Sequence, residues 1–140
     1  MKPNRLNRFS LLCSLICYLI VCCPPTLTAQ QQPREVVRIL AVGNSFSDDG
    51  VEYLDELAKA AGIRLIVGNL YIGGCSLERH WENVSKGLPA YDYRKNCEGV
   101  QSNTPKTSLL SALQDEPWDY ITVQQVSQNS GLYDTYYPFM

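Results

Sequence analysis

The sequence predicts an α/β fold built on a parallel sheet, and three observations predict it. Apolar, β-branched runs of strand length occur near residues 36–42, 63–70 and 119–126. Each run ends in a loop of small or polar residues, as strands do when they deliver side chains to the rim of a parallel sheet. Between the runs, apolar residues recur at helical spacing, so strand and helix alternate along the chain.

The chain begins with the form of a targeting segment. Lys2, Arg5 and Arg8 precede an apolar run over residues 9–23, and Thr26-Leu27-Thr28-Ala29-Gln30 follows. The run is shorter than the roughly 20 residues a spanning helix needs, so residues 1–29 are read as a secretory signal peptide cleaved after Ala29, with no membrane span. The mature protein is then secreted or periplasmic. Lipid attachment at Cys22 or Cys23, anchoring it to the outer surface, is the lesser alternative, because Val21 fits poorly before a modified cysteine. Residues 30–35 form a short polar linker containing Pro33.

Strand one occupies residues 36–42. Gly43 permits a sharp turn and leaves Ser45 at its tip, where outward N–H groups at a helix start favour developing negative charge. Val51, Leu54, Leu57, Ala58 and Ala61 then share a helical face, with Asp49 as the N-cap, Glu52 three residues on and Gly62 as the stop. A second strand at 63–70 completes a βαβ unit. Tyr71-Ile72-Gly73-Gly74-Cys75-Ser76 is a loop, His80 and Trp81 sit on a short helix, and Tyr91-Asp92-Tyr93-Arg94 alternates like a short exposed strand or a hairpin arm. Leu109, Leu110 and Leu113 mark a short helix that Pro117 breaks. Residues 119–126 form the third strand, and 133–140 read as the approach to another helix.

The chain carries 12 basic and 14 acidic residues, a net charge of −2; without residues 1–29 the balance falls to −5. No basic cluster remains, which speaks against nucleic acid as a partner. Four of the six cysteines lie within residues 1–29, leaving Cys75 and Cys97. These two either pair in an oxidising compartment or stay as separate thiols. The mature sequence lacks a Gly-x-x-x-x-Gly-Lys-Ser/Thr loop, a Gly-x-Gly-x-x-Gly turn, a His-Glu-x-x-His pair and a Cys-x-x-Cys pair, so no cofactor and no metal is expected.

The three strand-end loops are Gly43-Asn44-Ser45-Phe46-Ser47, Gly73-Gly74-Cys75-Ser76 and Gln124-Gln125-Val126-Ser127. With these in order, the chain resembles the SGNH hydrolases, the GDSL-like esterase and lipase superfamily, and most closely a secreted bacterial branch with Gly-Asn-Ser-Phe-Ser first blocks. Gly43-Asn44-Ser45 matches the first block. Asn69-Leu70-Tyr71-Ile72-Gly73-Gly74 looks like the second, and Gln124-Gln125 stands where the third usually reads Gly-x-Asn-Asp. The resemblance covers roughly residues 36–137. It implies a flavodoxin-like three-layer α/β/α sandwich and a serine esterase acting on a small acyl ester or an acylated carbohydrate.

Carried over residue by residue, the resemblance makes Ser45 the catalytic nucleophile and places an oxyanion hole at the N–H groups of Ser45 and Gly74 and the amide of Gln125. Gln124 is the alternative third donor, since strand alternation lets only one of the two glutamines face the site. Asn44, Gln124 and His80 are candidate pocket residues. Each has a plainer use: Ser45 as a helix cap, Gly73-Gly74 as a turn, Gln125 as a strand-end residue, His80 as a structural histidine. The superfamily takes its general base from a late Asp-x-x-His block, and no histidine follows His80. The sheet of that superfamily has about five parallel strands, of which about three are countable here. Residues 36–140 are therefore expected to be an N-terminal portion, truncated and inactive alone. The second reading is a noncatalytic flavodoxin-like module binding carbohydrate or an anion at the same rim. No motif specifies the acyl group, the alcohol or the oligomeric state.

Overall fold

The structure, a computed structural model, describes residues 36–140; the signal peptide and linker read at 1–35 lie outside the described residues. The strands are β1 (Val36–Gly43), β2 (Arg64–Tyr71), β3 (Tyr91–Cys97), β4 (Val100–Thr107) and β5 (Tyr120–Val123). The helices are α1 (Ser45–Val51), α2 (Leu54–Ala60), α3 (Leu77–Ser85) and α4 (Leu109–Leu113), with single 3₁₀ turns at Ser127–Asn129 and Tyr133–Tyr136. The strands form one sheet in the order β4-β3-β2-β1-β5.

The α/β class is as the sequence predicts, and β1 lies inside the sheet as its apolar run requires. It pairs in parallel with β2, from Val36 opposite Arg64 to Gly43 opposite Tyr71, and in parallel with β5, from Ile39 opposite Tyr120 to Val42 opposite Val123. The sheet is mixed, however, rather than wholly parallel. β3 runs antiparallel to β2, and β4 antiparallel to β3, so five strands are present among the described residues where three were countable.

The physical reason β4 escapes the sequence pattern is that it is an exposed edge. Its residues Val100-Gln101-Ser102-Asn103-Thr104-Pro105-Lys106-Thr107 lack apolar alternation, because almost none of them is buried. Pro105 falls in a bulge: Tyr93 pairs with Thr104 and Tyr91 with Thr107, so Pro105 and Lys106 together oppose Asp92, and Lys106 takes φ 56°. Edge strands and bulges are where a ladder tolerates the missing proline N–H. The hairpin itself turns on Glu98 (φ 54°) and Gly99 (φ 95°), two residues of positive φ that match strand twist.

Two other expectations shift. The helix predicted from Asp49 to Gly62 is two helices, interrupted at Glu52 and Tyr53, and its N-cap lies five residues earlier, at Asn44 rather than Asp49. Residues 133–140 hold one 3₁₀ turn and no longer helix. β5 is shorter than the run 119–126, and Tyr120, Ile121 and Val123 are 63%, 51% and 48% exposed. That strand's outer edge is unpaired among the described residues.

Strand alternation divides the side chains between two faces. On one face Leu40, Val42, Leu70, Tyr91, Tyr93 and Ala112 form the core cluster, joined by Ile72, Leu109 and Trp118. On the other, Ser47 of α1 meets Asn69 of β2. No helix among the described residues is long and apolar enough to cross a membrane.

Candidate functional site

Because β1, β2 and β5 run in parallel, their carboxyl ends share one rim, and a single buried side chain fastens the three loops there. Asn44 is 1% exposed. Its Oδ1 accepts the Phe46 N–H at 3.1 Å, while its Nδ2 donates to the Cys75 carbonyl at 3.1 Å and the Gln125 carbonyl at 3.4 Å. One amide therefore caps α1 and holds the second and third loops to the first. Backbone bonds reinforce it, from Ile72 N–H to the Gly43 carbonyl at 3.1 Å and from Gln124 N–H to the Val42 carbonyl at 3.0 Å. Asn44 is thus a strut rather than an open pocket residue.

Ser45 follows as the first residue of α1 and is exposed. Neither its hydroxyl nor its N–H has a hydrogen-bond partner among the described residues. The first-turn N–H groups of Phe46, Ser47 and Asp48 are taken by Asn44. The cap thus lies one residue before Ser45, and the hydroxyl is left for other work.

Behind it, α1 is clamped by polar residues that the sequence reading did not assign. Ser47 is buried, with its hydroxyl 2.7 Å from the Asn44 carbonyl and 2.9 Å from Asn69 Oδ1. Asn69 Nδ2 donates to Asp48 at 2.6 Å, and Arg94 pairs with the other Asp48 oxygen while its guanidinium lies 3.9 Å over the Tyr71 ring. The available signal was Asn69 itself, a polar residue inside an otherwise apolar strand. Gly43 is needed for space rather than for its turn: a Cβ there would lie 2.8 Å from Ser47 Oγ and 2.9 Å from Gln124 Oε1.

Gly74 is exposed with φ +62°, and its N–H meets no acceptor among the described residues. A Cβ at Gly74 would meet nothing within 4 Å, so the obstacle to a side chain is conformational and not steric crowding. Gly74→Ala is accordingly expected to cost about 1 kcal/mol in urea unfolding, the penalty of a left-handed L-residue. An unchanged midpoint would show that this turn does not need a glycine.

Gln125 does not stand as a donor at the rim. It is 5% exposed, and its amide is fully used: Oε1 accepts the N–H groups of Leu77 at 3.0 Å and Val126 at 2.9 Å, and Nε2 donates to the Thr135 carbonyl at 3.0 Å and hydroxyl at 3.2 Å. Gln124 faces the rim instead, half-buried, with its Oε1 buried beside Gly43 and unpartnered among the described residues.

His80 is likewise withdrawn from the pocket. It is 4% exposed, with Nδ1 3.0 Å from the Tyr91 hydroxyl and 3.5 Å from Cys75 Sγ, its ring stacked on Tyr91 and its Nε2 without a partner among the described residues. Burial, with a smaller effect of Arg79, lowers its pKa to about 4, so it is neutral at pH 7. The same burial pushes the Cys75 thiol up to about 11. Cys75 is buried, Cys97 is exposed on the hairpin, and the two are separate thiols. Among the described residues no three His, Cys, Asp or Glu side chains gather into a metal-holding group.

A sheet with parallel strand ends at one rim and an exposed serine at a helix start defines an α/β protein with a candidate site at that rim. A family model described as a domain of unknown function, DUF4886, matches residues 38–139, and the chain belongs to the DUF4886 family. It is similar to the crystal structure of a DUF4886 family protein from Bacteroides uniformis, with 53% identity and a TM-score of 0.71 over 73% of this chain and 40% of that one. The chain thus spans 40% of the length of that solved relative. No curated protein matches it.

Proposed function

We propose that the chain carries the nucleophile block of a secreted SGNH-type serine esterase, with a flavodoxin-like three-layer α/β/α sandwich as its complete fold. The observation that carries this is the state of Ser45: an exposed hydroxyl and an unclaimed N–H at the end of β1, beside the Gly74 turn that Asn44 ties to it through Cys75. In a hydrolytic cycle the Ser45 hydroxyl attacks an acyl carbonyl, its proton passing to a base, and the N–H groups of Ser45 and Gly74 receive the oxyanion; collapse of that intermediate breaks the ester C–O bond, the alcohol leaves with the proton the base held, and an acyl-serine remains. Water then releases the acid and restores the serine. The first turn of α1 adds a field of the same sign. Small acyl esters are the substrate class, with acetyl groups on carbohydrate the example the superfamily resemblance suggests.

His80 is too buried to be the base, so in this proposal the acid–base pair comes from sequence beyond these residues. The solved relative is longer than this chain, which leaves room for it. The third oxyanion donor falls to Gln124 or to that further sequence, because Gln125 is committed elsewhere.

The test is p-nitrophenyl acetate turnover by a product extended past Met140, with and without Ser45→Ala. Turnover that falls by about 10³-fold or more in the variant supports the assignment. Equal turnover in the two removes Ser45 from the chemistry and favours a noncatalytic module binding carbohydrate or an anion at the rim.

A further inference from the structure

A concavity on the face of the sheet away from the core cluster lies apart from Ser45 and Gly74. Its floor is two cross-strand rows over β2, β3 and β4: Val67, Asn96 and Gln101 in one, and Asn69, Arg94 and Asn103 in the next. Residues directly opposite across a sheet lie side by side, so these rows form a continuous polar floor. Its wall is α1 and the turn after it, through Asp48, Asp49 and Glu52. The concavity is open to solvent, with a volume of about 650 Å³, inside the roughly 300–1,000 Å³ range of small-molecule sites.

The chemistry of the lining selects the ligand. Of the two basic residues in the lining, Arg94 is paired with Asp48 and Lys95 with Asp115 and Glu116, whereas neither Asp49 nor Glu52 has a basic partner among the described residues, so the uncompensated charge of the lining is negative and disfavours an anion. Asn96 gives its Oδ1 to the Gly99 N–H at 2.7 Å, which frees its NH₂. The amides of Gln101 and Asn103 make no side-chain hydrogen bond among the described residues. NH₂ donors therefore face carboxylate acceptors across one cavity, with Val51 and Val67 supplying apolar patches. A sugar hydroxyl donates and accepts at once, and a sugar ring offers C–H faces, so it satisfies both sides where an anion or a wholly apolar ligand satisfies one at most.

We propose that this pocket binds a neutral carbohydrate, independently of whether Ser45 is a nucleophile. Gln101 and Asn103 stand on the exposed edge strand, so alanine there removes ligand contacts without opening the core.

The experiment is amide-detected NMR of the full chain titrated with cellotriose, xylotriose and mannotriose, with trigalacturonate as the anionic control. At least one neutral trisaccharide is expected to shift the side-chain NH₂ signals of Asn96, Gln101 and Asn103. Gln101→Ala with Asn103→Ala should weaken that binding by about tenfold or more, the loss of roughly one to two good hydrogen bonds, with the remaining spectrum unchanged. Shifts absent with all three neutral sugars, binding that the double variant leaves intact, or trigalacturonate binding as tightly would each overturn the proposal. Because none of these readouts involves ester hydrolysis, a failure here is distinguishable from a failure of the Ser45 assignment.

Discussion

Asn44→Ala is expected to lower the unfolding free energy by about 3 kcal/mol and to abolish the ordered rim. The side chain is 1% exposed and serves three backbone groups that belong to three different loops. Loss of an N-cap alone costs about 1 kcal/mol. The Cys75 and Gln125 carbonyls then lose a buried donor, and an unsatisfied buried group costs about 1–3 kcal/mol. Urea unfolding measures the total. In a variant folded at low temperature, reactivity at Ser45 should fall along with stability, since the helix start and the Gly74 turn are no longer tied. A midpoint shift worth less than about 1 kcal/mol would mean that the loops hold one another without the amide.

Acid is expected to destabilise the protein through His80, with an effect of similar size. The folded pKa is about 4, against 6.5 for the unperturbed imidazole taken as the unfolded value. The folded pKa is the lower one, so below pH 6.5 the unfolded chain gains a proton that the native state refuses. Stability from this group is complete above pH 6.5 and drains as the pH falls toward 4. At about 1.4 kcal/mol per unit, the loss between pH 7.5 and 4.5 comes to about 2–3 kcal/mol. His80→Gln, which keeps a polar partner for Tyr91, should flatten that slope. A slope equal to wild type would place the acid sensitivity elsewhere.

What the sequence made legible was whatever rests on local pattern. β1 reads directly from its apolar run, Gly62 ends α2 where predicted, and the loops after β1, β2 and β5 come together because parallel strands share a rim. The hairpin arm β4 was illegible, since an exposed edge strand with Pro105 in a bulge needs no hydrophobic alternation. The roles of the polar residues depended on partners far away in the chain. Gln125 looked like a donor with a free amide, yet Leu77 and Thr135 occupy it from 48 and 10 residues away. Asn44 looked like a pocket neighbour of Ser45, and its real work shows only when Cys75 and Gln125 arrive beside it. His80 could not be placed by spacing either; its stacking on Tyr91 is a tertiary contact.

The same polar contacts bear on the proposed role of Ser45. Four polar side chains near Ser45, those of Asn44, Ser47, Asn69 and Asp48, are engaged in holding α1 or its neighbouring loops. The Ser45 hydroxyl is exposed and makes no hydrogen bond among the described residues.

The most direct test of its role is to treat the protein with a fluorophosphonate probe and map the adduct by peptide mass spectrometry. On a product extended past Met140, the proposal predicts one phosphonylated residue, Ser45, and no adduct in Ser45→Ala. An adduct at Ser47, Ser76 or another serine, or no adduct in a folded protein that still hydrolyses p-nitrophenyl acetate, would contradict it.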